Sequence, residues 1–313
     1  MKIFFCGNFL PSHSTEQHLA RTLRKMGHEV VELQENFIQP DHLAQRLNSE
    51  PIDLFLFTRT WGETVKLDHL DILKRRNIPS VSYHLDLYVG LQRDGGIDTD
   101  PFWRTDFVFS ADGDSNSAKV FKEKDINHYY MKPGIFADEA YMVPGTKDKE
   151  VIFVGSYNYH PEWQYRPQLI DWLRSEYQGF ELWGSHGLGE VRENALNELY
   201  GRTKVVVGDS LHLPNHDYYW SDRVYETLGR GGFLIHPFIE GLQEEFTDKE
   251  HLVFYEYGNF TQLRKLVDYY LSHDVERELI RNAGHELVKS SYTYTQRLTK
   301  MLETVANTRQ ENI

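Results

Sequence analysis

Apolar residues along this chain come in short unbroken runs, separated by amphipathic stretches and by turns that carry glycine or proline. Lys2-Ile-Phe-Phe-Cys6 has the pattern of a strand buried on both faces of a parallel sheet, and a loop over residues 7–13 follows it. A helix comes next: Ser14 or Thr15 caps it, Leu19, Leu23 and Met26 share its inner face, and Gly27 ends it ahead of a strand over 29–33. The alternation continues with a strand over 53–57, a helix over 67–76, and strands over 79–83 and 106–110. Such alternation predicts a doubly wound sheet, with the loops that start at Gly7, Thr58, His84 and Ala111 lining one edge.

Near residues 131–135 the first sheet finishes, and the polar, turn-rich stretch 143–149 reads as an interdomain linker. The pattern then restarts. A strand over 150–154 runs into the turn Gly155-Ser156-Tyr157, followed by a helix over 166–177 and a strand over 180–183 that ends in Trp183-Gly184. A helix over 191–200, a strand over 204–207 closing in Gly208-Asp209-Ser210, a strand over 252–255 and a helix over 260–271 complete this half. The expected fold class is α/β, with two tandem Rossmann-like domains at 1–145 and 150–285. A helical tail over 286–313 is expected to pack back towards the first of them.

The stretch 219–237 concentrates the chemistry. Ser221 or Asp222 caps a helix, Gly231-Gly232 ends it, and Phe233-Leu-Ile235 is a short buried strand stopped by Pro237. Val224 and Leu228 face the core, while Arg223, Glu226, Thr227 and Arg230 follow helical spacing on the opposite face. A cation in a helix's first turn opposes the macrodipole, so Arg223 points to an anion that both would bind; a phosphate fits. A plain surface helix with an Arg223–Glu226 contact is the alternative reading.

Arg223-x-x-Glu226 followed by Gly231-Gly-Phe-Leu-Ile235 resembles the nucleotide-sugar-binding segment of GT-B glycosyltransferases, most closely the branch with spore-maturation glycosyltransferase-like proteins. Two Rossmann-like halves in tandem, with a cleft between them, are the plan of that fold. The resemblance implies Arg223 at the diphosphate and Glu226 on the ribose, with Gly155, Ser156 and Tyr157 under the donor. It implies Trp183-Gly184 at the nucleobase and Asp209-Ser210 beside it. On the acceptor side it implies Asn8, with His84 and Asp86 at the end of the strand over 79–83 and His84 contacting the donor sugar and phosphate. From the residues alone, His84 and Asp86 are either a site at the sheet's edge or a satisfied pair that pins a loop. Retaining GT-B enzymes commonly carry Glu-x7-Glu, whereas Tyr218 stands eight residues before Glu226, so the first carboxylate is absent. The resemblance implies transfer from a nucleotide-diphosphate sugar with retention, Arg223 stabilising the leaving diphosphate, and no metal or resident cofactor. An epimerase of the same fold and a non-catalytic nucleotide-sugar-binding module are the rivals.

Asp112-Gly-Asp114 looks like a metal-binding Asp-x-Asp motif, but it follows a Rossmann-type strand and serves as readily to cap a helix. The loop over 212–220, with His212, His216, Tyr218, Tyr219 and Trp220, offers either sugar-stacking rings or loop packing.

At 313 residues, with 40% hydrophobic and 14% aromatic content, there is enough apolar material for two cores. No Gly-x-Gly-x-x-Gly follows the first strand, which argues against an NAD site. A net charge of −13 argues against broad affinity for nucleic-acid backbones. The acceptor class stays open among glycan, protein and modified DNA base. The single cysteine, Cys6, excludes an internal disulfide, and no apolar run is long enough to span a membrane; with no leader-like start, a cytoplasmic protein is expected.

Overall fold

Two all-parallel sheets carry the chain. The computed structural model describes residues 1–58, 63–92, 96–161 and 163–311. It divides into a unit made of Met1–Lys132 with Tyr294–Ile313 and a unit made of Pro133–Thr293. The boundary therefore falls at 132/133 and not in the stretch 143–149, and the returning tail begins at Tyr294 and not at residue 286. The cause is local. Ile135 donates its N–H to the Tyr292 carbonyl at 3.1 Å, and Asn197 donates to the carbonyls of Glu139 at 3.0 Å and Tyr141 at 2.8 Å, so 133–149 is bonded into the second unit.

In the first unit the elements are β1 (Lys2–Gly7), α1 (Thr15–Lys25), β2 (Glu29–Gln34), α2 (Pro40–Ser49), β3 (Leu54–Phe57), α3 (Leu67–Arg75), β4 (Ser80–His84), β5 (Phe107–Ser110), α4 (Ser115–Glu123) and β6 (His128–Tyr130). The sheet order is β2-β1-β3-β4-β5-β6. The apolar runs supply its middle: Phe4, Cys6, Phe55 and Phe57 are buried in one core with Leu43 and Leu47 of α2. Burial pushes the Cys6 thiol's pKa up, with Glu35 adding to the effect, so this cysteine stays a protonated core residue. Sequence pattern alone passes over α2, which fully buries only those two leucines, one turn apart.

The second unit runs β7 (Lys149–Val154), α5 (Tyr165–Glu176), β8 (Glu181–Trp183), α6 (Glu193–Arg202), β9 (Thr203–Val207), α7 (Arg223–Gly229), β10 (Leu234–Pro237), β11 (Val253–Tyr255), α8 (Phe260–Ser272) and α9 (Asp274–Ser291). Its sheet order is β11-β10-β9-β7-β8. α7 is buried deep in it, with Val224, Tyr225 and Leu228 fully enclosed among Ile152, Val206 and Leu234. A last helix, α10 (Tyr294–Glu311), packs on α1 in the first unit, with Leu298, Met301 and Val305 buried at helical spacing. No described helix is long and apolar enough to cross a membrane.

Candidate functional site

The carboxyl edge of the second sheet collects most of the residues singled out in the sequence. β7 pairs with β8 on one side and β9 on the other, so the connections leaving β7 and β9 part there and open a crevice. Gly155-Ser156 enters it from β7, Gly208-Asp209-Ser210 from β9, and Arg223 and Glu226 from α7.

Arg223 reaches across to the β7 turn. Its Nη1 donates to the Val154 carbonyl at 2.7 Å, and a Cβ added to Gly155 would lie 2.5 Å from that same nitrogen. Gly155 also has φ +155°, so a side chain there would meet both backbone strain and the guanidinium. The Arg223 Nε is buried and finds no hydrogen-bond partner among the described residues. Burial works to lower the pKa of this guanidinium, but the carboxylates of Asp222, Glu226 and Asp209 together outweigh it and the pKa is raised. The carboxylate of half-buried Glu226 takes no hydrogen bond or ion pair among the described residues. A guanidinium with a donor unspent, set on a glycine turn beside an unpaired carboxylate, suits an oxyanion flanked by hydroxyl groups.

The shared polar face expected on this helix does not exist. α7 has only seven residues and is packed on nearly every side, so Thr227 and Arg230 are buried: Thr227 meets the Tyr200 hydroxyl at 3.3 Å, and Arg230 pairs with Glu139 and reaches Asn197 Oδ1 at 2.5 Å. The macrodipole of so short a helix is small, so the positive potential at its head comes mainly from Arg223's own charge. Asp222 makes no cap bond; Ser221 Oγ accepts the Arg223 N–H at 3.3 Å.

Ser210 holds the head of α7 in place. Its hydroxyl oxygen accepts the Ser221 N–H at 2.9 Å and lies 3.0 Å from His236 Nε2, while His236 Nδ1 faces the Pro237 carbonyl at 2.7 Å. Burial drives the His236 pKa down to about 4, so the ring is neutral, with Nδ1 donating to Pro237 and Nε2 accepting from Ser210.

Asp209 sits at the crevice but is spent on Arg166. The pair is buried, with Nε to the two carboxylate oxygens at 3.1 and 2.9 Å and Nη2 to Oδ1 at 2.9 Å. Nη1 adds the Ser156 carbonyl at 3.4 Å, and the rings of Phe153, Tyr159 and Trp163 surround the guanidinium at 5.6, 4.9 and 5.1 Å. Arg166 therefore ties the β7 turn to the β9 loop, a link that nothing in the sequence spacing signals.

The turn after β8 contributes backbone. The Trp183 carbonyl accepts the Gly155 N–H at 2.7 Å, whereas the indole lies back along the strand, donating to Glu181 Oε2 at 2.8 Å with Lys149 Nζ 5.7 Å from its ring. Gly184 has φ +135°, and a Cβ there would come within 2.3 Å of the Gly155 carbonyl oxygen. Tyr157 turns onto α5, its hydroxyl donating to Asp171 Oδ2 at 2.6 Å. In the loop over 212–220, Tyr219 and Trp220 are buried and the Trp220 indole donates to the Tyr225 hydroxyl at 2.9 Å, so these two rings pack the core.

In the first unit, β4 ends at His84 and the chain bends, so His84 and Asp86 do not share a side as an extended strand would require. His84 is buried between the rings of Phe102 at 3.6 Å and Trp103 at 3.9 Å, while Asp86 is exposed. Asn8 follows β1 and its Oδ1 accepts from Gln34 Nε2 at 3.1 Å. Asp114 caps α4, accepting from the N–H of Asn116 at 2.7 Å and Ser117 at 3.3 Å, and Asp112 Oδ1 accepts the Asp114 N–H at 3.1 Å. Among the described residues no group of three or more His, Cys, Asp or Glu is placed to hold a metal ion.

Residues 164–303 match the family model described as Glycosyl transferase-like. No curated protein matches the chain in sequence. Among solved structures, an alpha-glucosyltransferase in complex with UDP-glucose and DNA is similar at a TM-score of 0.71 and 12% identity, covering 97% of this chain and 99% of that one. HepE from Anabaena, solved with UDP-glucose, is similar at 0.63 and 13% over 98% and 100%. A glycosyltransferase from Rickettsia africae is similar at 0.62 and 12% over 97% of both. The chain has the GT-B glycosyltransferase fold of these structures.

Proposed function

We propose that this chain, a GT-B-fold protein whose segment 164–303 is glycosyl transferase-like, transfers a sugar from a nucleotide-diphosphate donor to an acceptor hydroxyl. The observation that carries the reading is Arg223: a charged guanidinium with an unspent buried Nε, laid on Gly155, one turn from the unpaired carboxylate of Glu226. Arg223 would hold the diphosphate and stabilise the charge that grows on it as the sugar leaves, and Glu226 would accept from the ribose hydroxyls. Ser156 would line the same turn, and Gly184 and the Trp183 backbone would bound the nucleobase end. Several of the structures that share this fold hold UDP or UDP-glucose, which favours a uridine donor.

The reaction proposed is retaining, with the leaving phosphate taking the acceptor's proton, and it needs no metal. In the first unit, Asp86 and Asn8 are the acceptor-side groups; the rings enclosing His84 favour a positioning role for it over proton transfer. A net charge of −13 weighs against a nucleic-acid acceptor.

Isothermal titration with UDP tests the site. Loss of one charge-assisted contact costs roughly 1.5–3 kcal/mol, so Arg223→Ala should bind at least about tenfold more weakly while remaining folded. Unchanged affinity in Arg223→Ala and Glu226→Ala would overturn the assignment. Turnover that survives chelator, with the donor's anomeric configuration kept in the product by proton NMR, is the expected result once an acceptor is found.

A further inference from the structure

Beyond the crevice, the second unit has a cleft of about 790 Å³ at the carboxyl ends of β10 and β11. Its size falls in the range of small-molecule sites, and aromatic rings dominate its apolar part. Phe238 is 38% exposed and stands edge-to-face with Phe254, ring centres 5.5 Å apart at 86°. Tyr257 closes the far side; its hydroxyl accepts from the Trp163 indole at 2.9 Å, so the cleft abuts the aromatic shell around Arg166.

The polar lining narrows the ligand. Gln262 Oε1 accepts the Glu256 N–H at 2.7 Å, which fixes the amide and leaves its NH2 without a partner among the described residues. Asp248 spends Oδ1 on the Phe254 N–H at 2.8 Å and Glu256 spends Oε2 on Asn259 at 3.0 Å, leaving each carboxylate a second oxygen. Among the described lining residues there is no Lys, Arg or His, so two uncompensated carboxylates repel a phosphate or a nucleotide. A cation would use the carboxylates and rings but not the amide donor. A polyol uses all of them: its hydroxyls donate to the carboxylates and accept from the amide, and its C–H face lies on Phe238.

We propose that this cleft binds the pyranose ring of a neutral saccharide, as a subsite separate from the nucleotide crevice. The binding stands whether or not the crevice transfers sugar.

The test is an array of neutral and acidic glycans probed with the full chain, hits being titrated calorimetrically. Phe238 is exposed and Gln262→Glu keeps the oxygen that Glu256 needs, so both variants should fold. The expected result is a neutral glycan whose affinity falls at least tenfold in Phe238→Ala and in Gln262→Glu but holds in Arg223→Ala. Loss in Arg223→Ala alone would place the sugar in the nucleotide crevice and overturn the subsite, as would an array without hits or binding of tetramethylammonium in place of sugar. UDP binding that persists in Phe238→Ala keeps this outcome distinct from that of the nucleotide site.

Discussion

Replacing Arg166 by Met keeps most of the stem but removes the guanidinium from among Phe153, Tyr159 and Trp163 and strips the carboxylate of Asp209 of its three contacts. Asp209 is 1% exposed, so water cannot take over. An uncompensated buried charge of this kind costs about 3–5 kcal/mol, a large part of the stability of an ordinary domain. For a unit of this size that is a fall in melting temperature of about 6–20 °C, read by calorimetry. Asp209→Leu alone should cost a similar amount, because it strands the guanidinium. The double variant replaces the pair with apolar groups of like volume and should recover most of the loss, since a buried ion pair is often matched by a hydrophobic one. The double-mutant cycle then gives a coupling of about 2 kcal/mol or more. Singles that lose under about 1 kcal/mol, or costs that simply add, would refute the view that the pair carries the β7 and β9 connections as one piece.

Two further outcomes follow from the same edge. His236 has an ordinary value of 6.5 and a folded value of about 4, so between those values the unfolded chain binds a proton that the native ring refuses. Stability from this ring is complete above 6.5 and drains away as pH falls towards 4, by about 3 kcal/mol; the melting temperature should drop across that window, with a shallower slope in His236→Asn, and equal slopes would reject the assignment. Gly184→Ala drives a methyl against the Gly155 carbonyl, 2.3 Å away on backbone that cannot swing aside. It should lower the melting temperature and weaken UDP binding together, and a fully stable variant with intact affinity would show that the β7 and β8 turns are not fixed to each other.

Strands were the most legible part of this chain, because parallel strands buried on both faces read as unbroken apolar runs, as at Ile3–Cys6 and Val205–Val207. α2 was not, since only Leu43 and Leu47 mark its inner face. At the candidate site, Arg223 and Glu226 are singled out by their spacing and by the odd sign of a cation at a helix head, and the structure places both on α7 at the carboxyl edge of the second sheet. The Arg166–Asp209 pair does not, because its members are joined by sheet order and not by separation along the chain. His84 illustrates the converse. Its place at the end of β4 is readable, but its enclosure depends on the single turn Pro101–Trp103, which folds Phe102 and Trp103 over the ring from a segment without helical periodicity. Asp112-Gly-Asp114 shows how one pattern serves two chemistries, its carboxylates here being taken up by backbone N–H groups at the head of α4.

The division of the chain makes the second unit an insert. It is one continuous stretch whose first and last segments are neighbours, Ile135 bridging to Thr293, while the first unit is completed only when α10 comes back after it. Topologically the second unit is a closed loop spliced into the first, entered and left at adjacent points. During synthesis the first sheet is made early but must wait, with the surface that α10 will cover still bare, until the whole insert has left the ribosome; the second unit has all its own parts the moment residue 293 emerges. The order of completion along the chain is therefore the reverse of the order of synthesis.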